Sequence, residues 1–185
     1  MAGVSRLQYT TEIRLVRVMC TGRVDLAHVL RAFTNGVDGV FIGGCRLNEC
    51  NYITHGNYHA LKMVYLCKRI MDHIGLSTDR LKIEFMSSGE GNLFVESVNA
   101  FVEDVKELGP LGRAEGLDEI ELKSKLQAYS DMVPYIRLVD NEKLRVRFDQ
   151  PEEYEKYFFS EEFDRLFHEL IASKMQTYIK VNPVS

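Results

Sequence analysis

A chain of 185 residues, 45% hydrophobic and 27% charged, has the make-up of an ordinary soluble globular protein, long enough for one full core or for one domain with a smaller addition. Its formal net charge of −4 speaks against a nucleic-acid binder, because phosphate contacts need a basic surface. No apolar run approaches the about 20 residues of a membrane helix, and the opening MAGVSRLQYTTEIR lacks the apolar stretch of a signal peptide, so the sequence predicts a cytoplasmic protein with neither membrane nor nucleic acid as partner.

The apolar, β-branched run Ile13 to Met19 predicts a first strand that stops at Cys20-Thr21-Gly22. DLAHVLRAFTNG follows as a helix, with Asp25 as N-cap, an apolar stripe of Leu26, Val29, Leu30 and Phe33, and Gly36 as the stop. Gly39 to Ile42 predicts a second strand, ending at Gly43-Gly44-Cys45. A long amphipathic helix runs from about His55 to His73, carried by Leu61, Val64, Tyr65 and Ile70. LKIEF (81–85) alternates apolar and charged residues as an edge strand does. A third helix, from about Glu90 to Leu108, ends at Gly109-Pro110.

This alternation predicts an α/β fold: a three-layer parallel sheet flanked by helices, Rossmann-like or flavodoxin-like. Right-handed crossovers bring the carboxyl ends of such strands to one edge, where open α/β sheets place their ligands. Cys20 and Cys45 would each terminate a strand there, about 5 Å apart if the strands are neighbours, with Cys50 on the loop that follows. The composition changes at Gly109-Pro110-Leu111-Gly112. That divides the chain into an α/β domain over 1–110 and a C-terminal α+β extension over 113–185. The extension reads as a helix over Leu117 to Tyr129, a hairpin in YIRLVDNEKLRVRF with its turn at Asp140-Asn141, and helices opened by Pro151 and capped by Ser160. So short a piece is expected to dock on the α/β body or on a partner.

Cys20, Cys45 and Cys50 are the sharpest chemical signal among four cysteines. They are either ligands or small residues that pack at strand ends. Gly43 and Gly44 favour ligation, since glycines let backbone N–H groups approach a thiolate-bound centre. Cys67, inside the helical stripe with Val64, Leu66 and Ile70, reads as core. Cys45, Cys50, His55 and His59 also make a loose C-x4-C-x4-H-x3-H zinc pattern, although a solvated helix start accounts for both histidines. His28, His73 and His168 have no partners in the pattern. A phosphatase-like loop at Cys20-Thr-Gly-Arg has too few residues between cysteine and arginine. SSGEGN (87–92) has no Lys after its glycines and reads as a helix-capping turn rather than a phosphate loop. Glu152-Glu153 and Glu161-Glu162 sit in first helical turns, where the macrodipole favours them.

Taken together, VRVMCTGRVD (16–25), GVDGVFIGGCRLNECNY (36–52) and HGNYHALK (55–62) resemble the delta subunit family of methyl-viologen-reducing, F420-non-reducing hydrogenases, over roughly residues 3 to 110. The resemblance implies a non-catalytic iron–sulfur subunit of an oxidoreductase complex of methanogenesis. It would carry a [2Fe–2S] cluster and pass electrons between a hydrogenase, or a formate dehydrogenase, and the flavin subunit of heterodisulfide reductase. It also implies Cys20, Cys45 and Cys50 as metal ligands, with Gly22, Gly43 and Gly44 around the cofactor. Family members begin upstream with a further strand and cysteines, so the resemblance implies that this chain starts late, at the junction matched by Ala2 to Arg6. They often carry His where this chain has Arg46 and Asn51. Three cysteines do not complete a four-cysteine cluster: an upstream segment or another chain supplies a ligand, or the cluster is lost. Two other readings stand beside this one, a cluster-free docking or scaffold module and a zinc-binding structural domain.

Overall fold

Two parallel strands form the sheet, β1 (Val40–Gly44) and β2 (Leu81–Phe85), with Val40 opposite Leu81 and Gly44 opposite Phe85. The computed structural model describes residues 7–52 and 56–181. Between the strands runs α2 (Asn57–Ile74), whose buried face includes Leu61, Val64, Cys67, Ile70 and Met71. Gly75 ends it at φ +84°, a conformation that costs glycine nothing. Before β1 lies α1 (Leu26–Thr34), and after β2 lies α3 (Gly91–Leu108). Neighbouring residues of a strand point to opposite faces. Phe41 meets Phe101 of α3, ring centroids 5.7 Å apart, while Ile42 belongs to the buried cluster built with α1 and α2. Helices therefore cover the two faces of β1.

α1 forms as its sequence predicts. The Asp25 side chain accepts the N–H of Ala27 (2.8 Å), and His28 Nδ1 accepts the N–H of Asp25 (3.1 Å). That gives His28 a capping role the pattern of histidines did not reveal.

The strand predicted over Ile13 to Met19 is not formed, so the described sheet has two strands rather than three. Leu15, Val16, Val18 and Met19 stand exposed, Val16 at 83% and Met19 at 92%. An extended run becomes a strand only when a neighbour supplies its hydrogen bonds, and none of the described residues pairs with this one.

Beyond residue 110 the described chain is helical rather than α+β, with α4 (Glu119–Asp131), α5 (Val133–Glu142), α6 (Pro151–Phe158), α7 (Glu161–Phe167) and α8 (Ser173–Val181). A π-helical stretch, His168–Ala172, joins the last two. The predicted hairpin is replaced by α5: Val133, Ile136 and Val139 are buried at helical spacing while Leu138 is 53% exposed. Asp140, expected at a turn, pairs instead with Lys62 of α2 at 2.8 Å. Ser160 caps α7 by accepting the N–H of Phe163 at 3.2 Å.

These helices share one buried cluster with α1, α2 and the strands. α4 packs on α1 and α6 on α2, the latter through Tyr58 with Tyr154 and Tyr65 with Phe158. Between the halves sits Arg80, fully buried. It donates to the carbonyls of Asp38, Leu108, Gly109 and Pro110 and to the Glu115 carboxylate at 2.7 Å. Among the described residues no helix is long and apolar enough to cross a membrane.

Candidate functional site

Cys45 follows the last residue of β1, at the carboxyl end of the sheet. Cys20 reaches the same edge without a strand of its own. The short turn Thr21–Arg23 begins beside it, and Thr21 Oγ1 donates to the carbonyl of Gly43 at 3.2 Å. Gly44 makes this approach possible, since a Cβ there would stand 2.8 Å from Thr21 Oγ1 and 3.2 Å from the Phe85 ring. Cys50 lies on the loop after β1 and is 8% exposed.

The three thiols converge on the Cys50 sulfur, which interacts with both Cys45 and Cys20. Two main-chain donors aim at it as well, the N–H of Tyr52 at 3.4 Å and that of Asn57 at the start of α2. Gly56 is what lets the chain pass so close. A Cβ on it would fall 2.2 Å from the Cys50 sulfur and 2.5 Å from the Tyr52 carbonyl oxygen. Burial alone would raise the Cys50 thiol, but the N–H groups of Tyr52 and Asn57 and the two neighbouring thiols outweigh it and hold Cys50 below the usual thiol value. Cys45 goes the other way. Lost hydration first, and then the Cys50 sulfur, push it up to about 11 even though its surface is exposed.

The Asn57 side chain clasps the same loop, donating to the carbonyls of Cys45 at 3.0 Å and Arg46 at 2.7 Å. Across the edge, Arg46 pairs with Glu90, which also accepts the N–H of Ser87 at 2.6 Å. The SSGEGN segment therefore forms the turn before α3 and tethers the cysteine loop, although Glu90 at the N-cap makes no side-chain cap of that helix.

Residues 1–109 match the family described as methyl-viologen-reducing hydrogenase, delta subunit. The chain belongs to this family. It is 43% identical over 110 residues to the vhu iron–sulfur subunit of the F420-non-reducing hydrogenase of Methanococcus maripaludis, a stretch covering 60% of this chain and 81% of that protein. It is 42% identical over 110 residues to the vhu iron–sulfur subunit from Methanocaldococcus jannaschii, with the same coverage. It is also 43% identical over 112 residues to one subunit of the ferredoxin/F420H2-dependent CoB-CoM heterodisulfide reductase of Methanosarcina acetivorans, but that match spans only 14% of the longer protein.

For a delta-subunit family member the donor set matters more than the fold. The chemistry of the donors suits an iron–sulfur centre: three sulfurs near one another, N–H donors on one of them, and a glycine where a side chain would intrude. Their number and spacing do not complete one, because no group of three or more His, Cys, Asp or Glu among the described residues is placed to hold a metal ion. His55 of the zinc pattern lies outside the described residues. His59 lines a small pocket with Asp25, Met63, Ile136 and Asp140. Gly22 lies in the turn beside Cys20. Gly43 contributes its carbonyl, and a Cβ on it would meet only ordinary contact. Cys67 is fully buried in α2, and burial pushes its thiol up to about 12. Sequence reasoning passed over Gly56 and Asn57. The signal was a glycine and an asparagine six and seven residues after Cys50, at the start of a long helix.

Proposed function

We propose that this chain is an electron-transfer subunit in which Cys20, Cys45 and Cys50, as thiolates, hold an iron–sulfur cluster of the [2Fe–2S] type. Gly22, Gly43 and Gly44 bring the backbone close to it. The fourth ligand comes from an upstream segment or a partner chain. Bound there, the cluster would supply one-electron transfer. The chain's own part is to collect the sulfurs at the sheet edge, aim the N–H groups of Tyr52 and Asn57 at Cys50, and exclude bulk there through Gly56. The observation that carries this reading is the convergence of three thiols at one sheet edge.

The partners in this reading are a hydrogenase or formate dehydrogenase on one side and the flavin subunit of heterodisulfide reductase on the other, in the cytoplasm. The names of the relatives, an iron–sulfur subunit of a hydrogenase and one subunit of a heterodisulfide reductase, support the hydrogenase and heterodisulfide reductase sides of this reading. Residues 1–110 form the electron-carrying part, and 113–185 an extension that secures assembly. A further strand from an upstream segment or a partner would complete a three-layer, Rossmann-like sheet, and the helices on both faces of β1 support this.

The exposed row Leu15, Val16, Val18 and Met19 favours one alternative, a cluster-free docking module. Anaerobic reconstitution of the full chain with excess thiol, which can stand in for the fourth ligand, followed by iron and acid-labile sulfide analysis separates the readings. Iron and sulfide in equal amounts, lost in a Cys50→Ser variant, support the electron-transfer reading. A folded protein that takes up neither metal nor sulfide supports the docking module, and zinc without sulfide a structural zinc domain.

A further inference from the structure

Asn57 is a polar side chain with 1% of its surface exposed, at the first residue of α2. Burying an amide is costly unless its hydrogen bonds are met. Here the cysteine loop meets both donors and α2 the acceptor. Nδ2 donates to the carbonyls of Cys45 (3.0 Å) and Arg46 (2.7 Å) and stands 3.8 Å from the Cys45 sulfur. Oδ1 accepts the N–H of Tyr58 at 3.0 Å. The orientation of the amide follows, since a flipped group would set its oxygen against two carbonyls. The residue's own N–H also lies near the Cys50 sulfur.

One residue therefore touches both cysteines of the C-x4-C pair. Its side chain fixes the backbone that carries Cys45, and its main chain lies beside the sulfur of Cys50. Because it begins an 18-residue helix, it also ties the loop to the helix that connects the two strands. We propose that Asn57 is the positioning residue of this site: its amide sets where the Cys45 sulfur stands relative to Cys50. The part of the proposal that concerns a bound cluster rests on the reading of these cysteines as its ligands. Outer groups that orient ligands in this way carry a large share of metal affinity.

The experiment uses the full chain and two variants. Asn57→Ser keeps a residue suited to a helix start but cannot reach both carbonyls. Asn57→Asp keeps the size and replaces the donor with an acceptor facing two carbonyls. In metal-free protein, alkylation at Cys45 and Cys50 is followed separately by peptide mass spectrometry, with circular dichroism to confirm folding. After anaerobic reconstitution, iron occupancy, the electron paramagnetic resonance spectrum and the midpoint potential are measured. Alkylation of Cys45 should accelerate several-fold in Asn57→Ser and less in Asn57→Asp, whose carboxylate beside the sulfur disfavours its thiolate, while Cys67 stays unreactive. Iron affinity should fall about 10- to 100-fold, with altered g-values and potential. Folded variants with wild-type alkylation rates and wild-type spectra would overturn the proposal. So would Asn57→Asp behaving as wild type, or Asn57→Ser failing to fold, which would make the amide a general stability element. If the wild-type chain takes up no iron and sulfide even with excess thiol supplied in place of the fourth ligand, the electron-transfer reading fails, and the alkylation rates alone decide the role of Asn57.

Discussion

The two ends of α2 lie in different kinds of surroundings. At its start, Gly56 and Asn57 meet a loop through main-chain atoms and one amide, beside exposed Cys45 and half-buried Cys20. Along its body and toward its end, Tyr65 and His73 meet aromatic rings of α4, α6 and α7, and Ile70 and Met71 lie in the same buried cluster. Stability is concentrated in the second region, where large apolar side chains leave water. Chemical organisation is concentrated in the first, where distances of a few tenths of an ångström matter and little apolar area is buried. Because one helix serves both, packing on the extension holds the first turn of α2 in place, and changes at the first turn need not unfold the molecule.

The comparison breaks most visibly at the packed end. Phe158 is fully buried, its ring 4.6 Å from that of Phe163 and stacked near Tyr65. Phe158→Ala should cost about 3–5 kcal/mol of unfolding free energy, with fluorescence and circular dichroism melting in one shared transition if the halves form one cooperative unit.

Arg80 gives the next largest effect. Arg80→Met leaves the Glu115 carboxylate without its cation and should cost about 3 kcal/mol, read from denaturant midpoints. Burial pushes Glu115 up, but hydrogen bonds from Arg80 and the Ser77 N–H outweigh it and hold the carboxyl below its usual 4.5. The stability this contributes is present above the unfolded value and lost as pH falls through the lowered folded one. The gap between wild type and Arg80→Met should therefore narrow in acid.

At the other end of α2, Gly56→Ala forces a methyl group onto the Cys50 sulfur. The fold should lose only about 1–3 kcal/mol, whereas alkylation of Cys50 and any iron uptake change strongly. The smallest effect belongs to Arg46 and Glu90, an exposed pair. The Arg46 guanidinium and the Ser87 N–H hold the Glu90 carboxyl down to about 2. What the pair contributes is present above 4.5 and lost as pH falls toward about 2. Glu90→Gln should leave melting at neutral pH nearly unchanged, with the carboxyl resonance of Glu90 titrating low in the wild-type protein.

Helices with clear caps and stops were legible in the sequence: Asp25 and Gly36 bracket α1, Ser160 starts α7, and Pro151 opens α6. Both observed strands were legible too, because β-branched and aromatic residues there meet a partner. Ile13 to Met19 has similar composition, and composition cannot say whether a partner exists. The hairpin failed for another reason. Ile136 and Leu138 suggested a period of two, but the buried set is Val133, Ile136 and Val139, a period of three that only packing on α1 and α2 reveals. Leu144, Val146 and Phe148 do alternate in burial as predicted, yet as an extended segment with no strand beside it among the described residues. Of the site, the cysteines could be found from their spacing. Gly56 and Asn57 could not, because their meaning lies in a close approach to residues up to 12 positions away.

The socket around Arg80 has a consequence for how this unit combines with other chains. Four of its acceptors are main-chain carbonyls, those of Asp38, Leu108, Gly109 and Pro110, and only Glu115 depends on a particular side chain. A peptide carbonyl is available whatever residue follows. The guanidinium can therefore anchor any continuation that turns at the end of α3, provided one carboxylate faces it. Such a junction suits a module whose relatives include both short subunits and 14% of a much longer protein. Grafting it elsewhere should succeed when the turn after Leu108 and an acid opposite Arg80 are carried along, and fail when the cut falls before them.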